Sequence, residues 1–267
     1  MEIVDAQVHA NHRGLDQSIA IMDAVGVNAA VIDVWPPVRT KTADGVMRFE
    51  YPFAEEAVER FPQRFAYVAR FDPNDPELDN LMADLRRKPG RLCVRIASGF
   101  DFKLLQQGGG HEKILAAAGR HRVPIMIYPG DYHATLQKYV KGFPDTQFII
   151  DHVGMGVDRP SLPSQLEQTI DQLISYAKYP HVAVKWGHAP RLSREAFPYR
   201  DLLQQLGRVI EAFGAKRIMW ASDYTVTTDH HTYAESLFCI RCADQLSAPD
   251  KEWLLGRSAR AILGWMG

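Results

Sequence analysis

The chain of 267 residues carries 31 basic and 32 acidic side chains, a formal net charge of −1, and 46% of its residues are hydrophobic. This length suits one large domain or two small ones, and the balanced charge gives no electrostatic reason to expect nucleic acid or a membrane surface as a partner. The 3 cysteines are too few for a disulfide framework. No apolar run reaches membrane-spanning length and the chain begins with a strand pattern rather than a signal peptide, so we expect a cytoplasmic protein.

Short apolar segments alternate with amphipathic segments along the whole chain, which predicts alternating strands and helices. The apolar segments are hydrophobic on both faces, which is typical of parallel strands covered by helices. The predicted strands are 2–8, 29–34, 64–71, 91–97, 124–128, 147–151, 181–186 and 217–222. The predicted helices are 16–24, 52–60, 76–87, 112–121, 134–141, 164–179, 199–213, 231–245 and 249–263.

Eight strand–helix units in a chain of this length predict a (β/α)8 TIM barrel that forms a single domain over residues 1–267. A doubly wound open sheet is the alternative, but no Gly-x-Gly-x-x-Gly follows the first strand. We expect loops at residues 35–51, which follow the second strand, and at the glycine run 108–110. Cys239 and Cys242 lie in a helical pattern, so their C-x-x-C spacing is a weak indication of a redox or metal site. The helical tail suits a homo-oligomer interface as well as packing on a barrel end.

In a barrel of this kind the side chains at the carboxyl ends of the strands gather around one mouth. The polar and aromatic residues at those positions are Gln7, His9, Asp33, Trp35, Arg70, Asp72, Arg95, Tyr128, Asp151, His152, Lys185, His188, Arg191, Asp223 and Tyr224. The set combines a general-base candidate, several hydrogen-bond donors, and more positive charge than a small pocket holds without an anionic ligand. We expect the remaining histidines in loops or on the surface: His12, His111, His121, His181, His230 and His231.

Each of these residues also has a plain structural interpretation. A histidine at a strand end is often only a hydrogen-bonded, half-buried residue. Asp223 could cap the helix that follows it, and Arg70 could pair with Asp72 or another carboxylate of the barrel. The convergence of His9, His152 and Asp223 on one mouth from three separate strands favours a functional site.

Several segments resemble landmarks of the amidohydrolase superfamily, in the branch labelled amidohydrolase 2. They are Val4-Asp-x-Gln7-x-His9, Ile150-Asp-His152-Val-Gly154, Val184-Lys185, Ala189-Pro-Arg191-Leu-Ser193, Ile218-Met-Trp-Ala-Ser-Asp223 and Ser258-Ala-Arg260-x-Ile262-Leu-Gly264. In metal-bearing members of that family, a first-strand His-x-His, a histidine ending strand five and an aspartate ending strand eight hold one divalent ion. The resemblance assigns those positions to Gln7, His9, Tyr128 and Asp223, so two of the four usual ligands are changed.

A site with one imidazole, one carboxylate and two poor neutral ligands should bind zinc weakly. The tyrosine ending strand five, the histidine ending strand six and the arginines are similar to the 2-pyrone-4,6-dicarboxylate hydrolases, which are lactonases that work without a metal. The first strand of those enzymes lacks the glutamine found here. The resemblance therefore implies that no cofactor is needed. A single Zn2+ held by His9, Asp223, Gln7 and His152 is the alternative.

These residues suggest the hydrolysis of a lactone or ester bond in a small carboxylated cyclic substrate. Asp223 is the expected general base that takes a proton from water, while His9, His152 and Tyr128 donate hydrogen bonds to the developing oxyanion. Arginine forks suit substrate carboxylates. The predicted substrate-binding residues are Gln7, Trp35, Arg70, Arg95, Lys185, His188 and Arg191, and Lys185 or His188 could instead pair with Asp151. A mononuclear zinc amidohydrolase or decarboxylase of the same fold, or a barrel that binds a small acid without catalysis, are the alternatives.

Overall fold

The structure is a computed structural model that describes residues 1–97, 110–155, 165–226 and 230–265. Eight parallel strands form one sheet in which each strand pairs with the next barrel strand along the chain. They are Val4–Val8, Ala29–Ile32, Phe65–Ala69, Arg91–Ala97, Ile125–Tyr128, Phe148–Ile150, Val182–Trp186 and Ile218–Trp220. We number them as the first to eighth barrel strands.

The first and eighth barrel strands close the sheet. Val8 bridges Tyr224 in parallel, and the Asp223 amide donates to the Gln7 carbonyl at 3.0 Å. The first strand also changes register between Asp5 and Val8. The predicted (β/α)8 barrel is therefore confirmed.

Helices connect the strands and cover the outer face of the barrel. The α-helices are Leu15–Val25, Pro52–Arg60, Leu78–Ala83, His111–His121, His133–Gly142, Leu166–Ile174, Arg200–Phe213, Tyr233–Arg241, Ala248–Glu252 and Ser258–Leu263. Short 3₁₀ turns are Ala10–His12, Leu85–Arg87, Asp151–Gly154, Ala189–Leu192 and Ala215–Arg217, and Trp253–Arg257 is a π-helical turn. The predicted helix 249–263 is thus an α-helix, a π-helical turn and a second α-helix in succession. Residue 164 of the predicted helix 164–179 lies outside the described residues.

An apolar layer inside the barrel forms the floor of the site. Successive side chains of a strand point to opposite faces, so two residues separated by one position share a face. On six of the strands an inner apolar residue is followed two positions later by a buried polar or aromatic residue. These pairs are Val31 and Asp33, Val68 and Arg70, Cys93 and Arg95, Met126 and Tyr128, Ile149 and Asp151, and Ala183 and Lys185. The alternation places the polar layer nearer the carboxyl ends of the strands.

Two local predictions were wrong. Residues 35–51 are not only a loop, because Val38–Lys41 and Met47–Glu50 form an antiparallel hairpin. Every residue of its first strand is exposed, so no apolar alternation marks it in the sequence. His111, predicted to be a loop or surface residue, begins a helix and is buried. Of the predicted glycine loop, residues 108 and 109 lie outside the described residues.

Cys239 is buried and Cys242 is exposed, and both are free thiols. Within the described part of the chain, no helix has the length and apolar character needed to cross a membrane.

Candidate functional site

Asp223 lies three residues beyond the end of the eighth barrel strand, and its side chain is only 1% exposed. One carboxylate oxygen, Oδ1, accepts a hydrogen bond from Gln7 Nε2 at 2.5 Å and lies 2.9 Å from His9 Nε2. The other oxygen, Oδ2, contacts His188 Nε2. Burial by itself raises the pKa of the Asp223 carboxyl, but His188, His152 and His9 outweigh it and hold that pKa well below its ordinary value. Asp223 is therefore ionised at neutral pH.

The Gln7 side-chain amide has one orientation that satisfies both of its ends. Lys185 Nζ contacts Gln7 Oε1, and an ammonium group can only donate. On the other side Gln7 Nε2 faces the Asp223 carboxylate, which accepts, and lies 3.2 Å from His9 Nε2. The first strand therefore presents an N–H donor to Asp223.

The three imidazoles near Asp223 differ in which ring nitrogens donate hydrogen bonds. His9 Nδ1 lies 2.8 Å from the backbone carbonyl of Asp33 and His9 Nε2 lies 2.9 Å from Asp223 Oδ1; both oxygens only accept, so His9 donates from both nitrogens. His152 Nε2 lies 3.3 Å from Arg95 Nη2 and must accept from it. His188 Nε2 faces the ionised Asp223 and donates, while its buried Nδ1 has no hydrogen-bond partner among the described residues.

His152 is a neutral ring packed between two other rings. Burial lowers the pKa of His152 well below its ordinary value. Its ring centroid lies 4.7 Å from that of Tyr128 and 4.6 Å from that of His188, both in edge-to-face geometry. The predicted site residue Tyr128 thus reaches the Asp223 cluster through His152.

A network of buried ion pairs lies beside this cluster. Arg95 Nε lies 2.7 Å from Asp151 Oδ2, and Lys185 Nζ lies 2.6 Å from Asp151 Oδ1. Arg70 Nη2 lies 2.7 Å from Asp33 Oδ1, and Arg95 pairs with the other Asp33 oxygen. Burial alone would raise the pKa of Asp33, but Arg70 and Arg95 hold it well below its ordinary value.

The positive charge expected to need an anionic ligand is therefore balanced within the chain. The three cations Arg70, Arg95 and Lys185 pair with the two carboxylates Asp33 and Asp151, and the nearby Asp223 carboxylate adds a third negative charge that acts on Arg95. Arg70 pairs with Asp33 and not with Asp72, whose carboxylate accepts the backbone amides of Met47 and Asn74 at 2.8 Å each.

Three residues of the cluster have left-handed backbone conformations. His152, His188 and Asp223 have φ values of 50°, 57° and 57°. This region costs a non-glycine residue about 1–2 kcal/mol, and such strained residues concentrate at functional sites. The alternative that Asp223 caps the next helix is wrong, because that helix starts at Tyr233 and Thr232 caps it.

The two remaining predicted residues, Trp35 and Arg191, lie outside the contacts just described. Arg191 lies in the 3₁₀ turn Ala189–Leu192 after the seventh strand and is partly buried. Its Nε has no hydrogen-bond partner among the described residues. Trp35 is 37% exposed, and its ring lies 5.7 Å from Arg70 Cζ.

His231, predicted to be a loop or surface residue, is buried near the site. Burial, together with the nearby His188, lowers the pKa of His231 to about 4. The sequence does contain a signal for this placement: Thr232 and Glu235 form a capping box, which makes His231 the residue before the N-cap. That position commonly packs against the helix it precedes.

His152, His188 and Asp223 could together hold a metal ion, because their ligand atoms lie within 4.8 Å of one another. Two imidazoles and one carboxylate are a donor set found at catalytic zinc sites that keep an open position. This set shares His152 and Asp223 with the predicted alternative, but the Gln7 amide shows its nitrogen to the site. The donors fit zinc or manganese, provided that His152 Nε2 gives up its hydrogen bond from Arg95.

Residues 7–265 match the sequence profile of a family described as amidohydrolase. A search of the curated proteins found no match.

Solved structures of similar fold include three with informative bound groups. An amidohydrolase from Burkholderia multivorans with bound zinc is 18% identical, with a TM-score of 0.79 and coverage of 100% of both chains. A probable 2-pyrone-4,6-dicarboxylic acid hydrolase from Acinetobacter baumannii with citric acid bound is 15% identical, with a TM-score of 0.73 and coverage of 99% of this chain and 100% of that one. A 5-carboxyvanillate decarboxylase from Novosphingobium aromaticivorans complexed with manganese is 17% identical, with a TM-score of 0.65 and coverage of 93% and 80%. At these identities the likeness shows the fold alone.

Proposed function

The chain belongs to the amidohydrolase family, and on that premise we propose that it hydrolyses a lactone or ester bond in a small carboxylated cyclic compound. The observation that carries this proposal is the environment of Asp223, a buried and ionised carboxylate that contacts one amide and two imidazoles beyond the end of a barrel strand. The fold similarity to a probable pyrone dicarboxylic acid hydrolase supports the choice of bond.

In this proposal Asp223 and His188 take the proton of the attacking water as a pair. Asp223 alone is a weak proton acceptor because its pKa is held low. His188 donates to it through Nε2, which leaves Nδ1, without a hydrogen-bond partner in the described part of the chain, as the nitrogen that takes the proton. The pair then returns the proton to the leaving oxygen when the ring of the substrate opens.

The developing oxyanion would be stabilised by His152 and Tyr128. The neutral His152 ring carries its proton on Nδ1, because Nε2 accepts from Arg95. The hydroxyl of Tyr128, whose ring packs against His152, is the second donor. Loss of one such donor costs roughly 3–4 kcal/mol of barrier. His9 donates to the Asp33 carbonyl through Nδ1 and to Asp223 through Nε2, so in this arrangement it holds the Asp223 carboxylate.

Arg191 is the arginine that we assign to a substrate carboxylate. Arg70 and Arg95 already hold Asp33 and Asp151, whereas Arg191 Nε has no hydrogen-bond partner among the described residues. The half-exposed Trp35 ring offers a flat surface for a cyclic substrate.

The proposal is tested by a screen of small carboxylated lactones and esters against the wild type and Asp223→Asn. We expect the wild type to hydrolyse members of the set and the variant to lose about 10²–10⁴-fold in kcat. Asp244→Asn, which changes an exposed aspartate, is the matched control and should keep full activity. Equal activity of the wild type and Asp223→Asn would contradict the proposal.

A second candidate is a metal-assisted hydrolase or decarboxylase with His152, His188 and Asp223 as ligands. The observations in its favour are the proximity of the three ligand atoms and the zinc and manganese in structures of similar fold. A bound ion would polarise the reacting carbonyl and lower the pKa of a water. Metal analysis of protein purified without chelator separates the candidates, because near-stoichiometric metal that is required for activity would favour the second.

A further inference from the structure

A chain of buried hydrogen bonds connects the sixth, seventh, first and eighth barrel strands beneath the site. Asp151 Oδ1 lies 2.6 Å from Lys185 Nζ, Lys185 contacts Gln7 Oε1, and Gln7 Nε2 donates to Asp223 Oδ1 at 2.5 Å. All four residues are buried. The direction of the chain is fixed at both ends, because the ammonium group only donates and the ionised carboxylates only accept.

We propose that Lys185 is a positioning residue that lowers the affinity of the site for a divalent metal ion. Lys185 holds the oxygen of the Gln7 amide. The amide therefore directs its N–H, and not an oxygen ligand, into the space between Asp223 and His9. An amide N–H cannot ligate a cation, and the nearby ammonium charge opposes one. The proposal rests on the proposed function only in taking Asp223 as the reacting group.

Lys185 has a contact to Gln7 in addition to its ion pair with Asp151. Its side chain is fully buried, with Met126 Sδ at 3.5 Å from Nζ, and a buried charge carries a large desolvation penalty. The Asp151 carboxylate already has a cationic partner in Arg95 at 2.7 Å. Lys185 adds two contacts that Arg95 does not make, the ion pair to the second Asp151 oxygen and the contact to Gln7.

The isosteric change Gln7→Glu tests the orientation of the amide. A carboxylate has an oxygen at both positions, so the variant keeps the Lys185 contact and places an oxygen ligand where wild type has an N–H. We expect titration with zinc alone, followed by calorimetry, to show at least about tenfold tighter binding than wild type. Gln205→Glu, at another buried glutamine, is the matched control and should leave zinc affinity unchanged. Zinc affinity within about twofold of wild type in Gln7→Glu would overturn the inference, because it would mean that an oxygen already faces the site.

The change Lys185→Met tests the residue that holds the amide. Without the ammonium the Gln7 amide can turn its oxygen towards Asp223, and the opposing charge is gone, so we again expect at least about tenfold tighter zinc binding. Lys178→Met, at an exposed lysine, should bind zinc as wild type does. Unchanged zinc affinity in folded Lys185→Met protein would refute the role of Lys185. If that variant does not fold, the zinc affinity of Gln7→Glu is the test of the proposal.

These measurements need no substrate. If the wild type hydrolyses no lactone but the Gln7→Glu variant binds zinc more tightly than wild type, the proposed function is refuted and this inference stands. If the wild type hydrolyses lactones without metal and the Gln7→Glu variant binds zinc no more tightly, the proposed function stands and this inference is refuted.

Discussion

Asp223 depends on its neighbours for both its charge and its chemistry. A carboxylate buried this deeply would bind a proton near neutral pH if it were alone, since burial raises its pKa. Three imidazoles reverse that effect, and the resulting strong ionisation makes the isolated carboxylate a weak base. The imidazole of His188 contacts this carboxylate through Nε2. An aspartate that orients a histidine in this way is a recurring arrangement in hydrolases.

The variant His188→Gly tests the pairing of His188 with Asp223 by removing the imidazole ring. The left-handed backbone, with φ 57°, suits glycine, and removal of the ring leaves space for free imidazole. We expect kcat to fall about 100-fold or more and to be partly restored by added imidazole in the presence of a chelator. The measurement is the rate of lactone hydrolysis against imidazole concentration.

His152→Gly is the matched control for this rescue. His152 is also buried and left-handed, with φ 50°, but its Nε2 accepts from Arg95 and does not touch Asp223 closely, the separation from Asp223 Oδ2 being 3.9 Å. Imidazole should not restore this variant. Rescue of both variants, or of neither, would count against a special role for His188.

Helices Leu15–Val25 and His111–His121 each end where one residue adopts a left-handed backbone that interrupts the helical hydrogen bonds. Helix Leu15–Val25 ends at Gly26 with φ 81°, and helix His111–His121 ends at Arg122 with φ 52°. Glycine adopts this conformation without the clash of a Cβ atom, whereas arginine does not. The two helix ends therefore have the same geometry and different strain.

This difference predicts opposite effects of substitution at the two helix ends. Arg122→Gly should stabilise the protein by about 0.5–1 kcal/mol, because the relief of strain exceeds the added entropy of the unfolded chain. Gly26→Ala should destabilise it by about 1 kcal/mol. Urea unfolding of both variants and wild type measures these free energies, and a shift of the two midpoints in the same direction would contradict the argument.

Closure of the barrel joins the first strand to the end of the eighth, and Asp5 lies in that seam. Its Oδ1 accepts the backbone amides of Ser222 at 2.9 Å and Gln7 at 3.1 Å. Burial raises the pKa of Asp5 from 3.8 to about 6, although these hydrogen bonds oppose the shift. The folded molecule therefore holds a proton on Asp5 at pH values where the unfolded chain has released it.

The pH dependence of unfolding should reveal this group. The stability due to protonated Asp5 is fully present below about pH 4 and is lost as the pH rises through about 6. The loss is about 3 kcal/mol, since one unit of pKa difference corresponds to about 1.4 kcal/mol. Asp5→Asn lacks this loss, so its unfolding free energy relative to wild type should rise between pH 4 and pH 7. Urea unfolding at several pH values measures the difference, and parallel curves would show that Asp5 does not titrate in this range.

The sequence alone was enough to predict the barrel and the grouping of polar side chains at the carboxyl ends of its strands. Alternating apolar strands and amphipathic helices indicate parallel strands covered by helices, and that architecture brings the ends of the strands together. His9, His152 and Asp223 could therefore be grouped although they lie far apart in the chain. The hairpin within residues 35–51 could not be predicted, because its first strand is exposed along its whole length and shows no apolar alternation.

The tertiary structure decided which group each polar side chain contacts. That Arg70 and Arg95 meet Asp33 and Asp151, that His188 reaches Asp223, and that Lys185 fixes the Gln7 amide all depend on strand register across the barrel. Such contacts join residues from different strands and leave no local pattern in the sequence. The sequence determined which side chains surround the mouth of the barrel, and only the packing of the strands decided their charges, their tautomers and the direction of their hydrogen bonds.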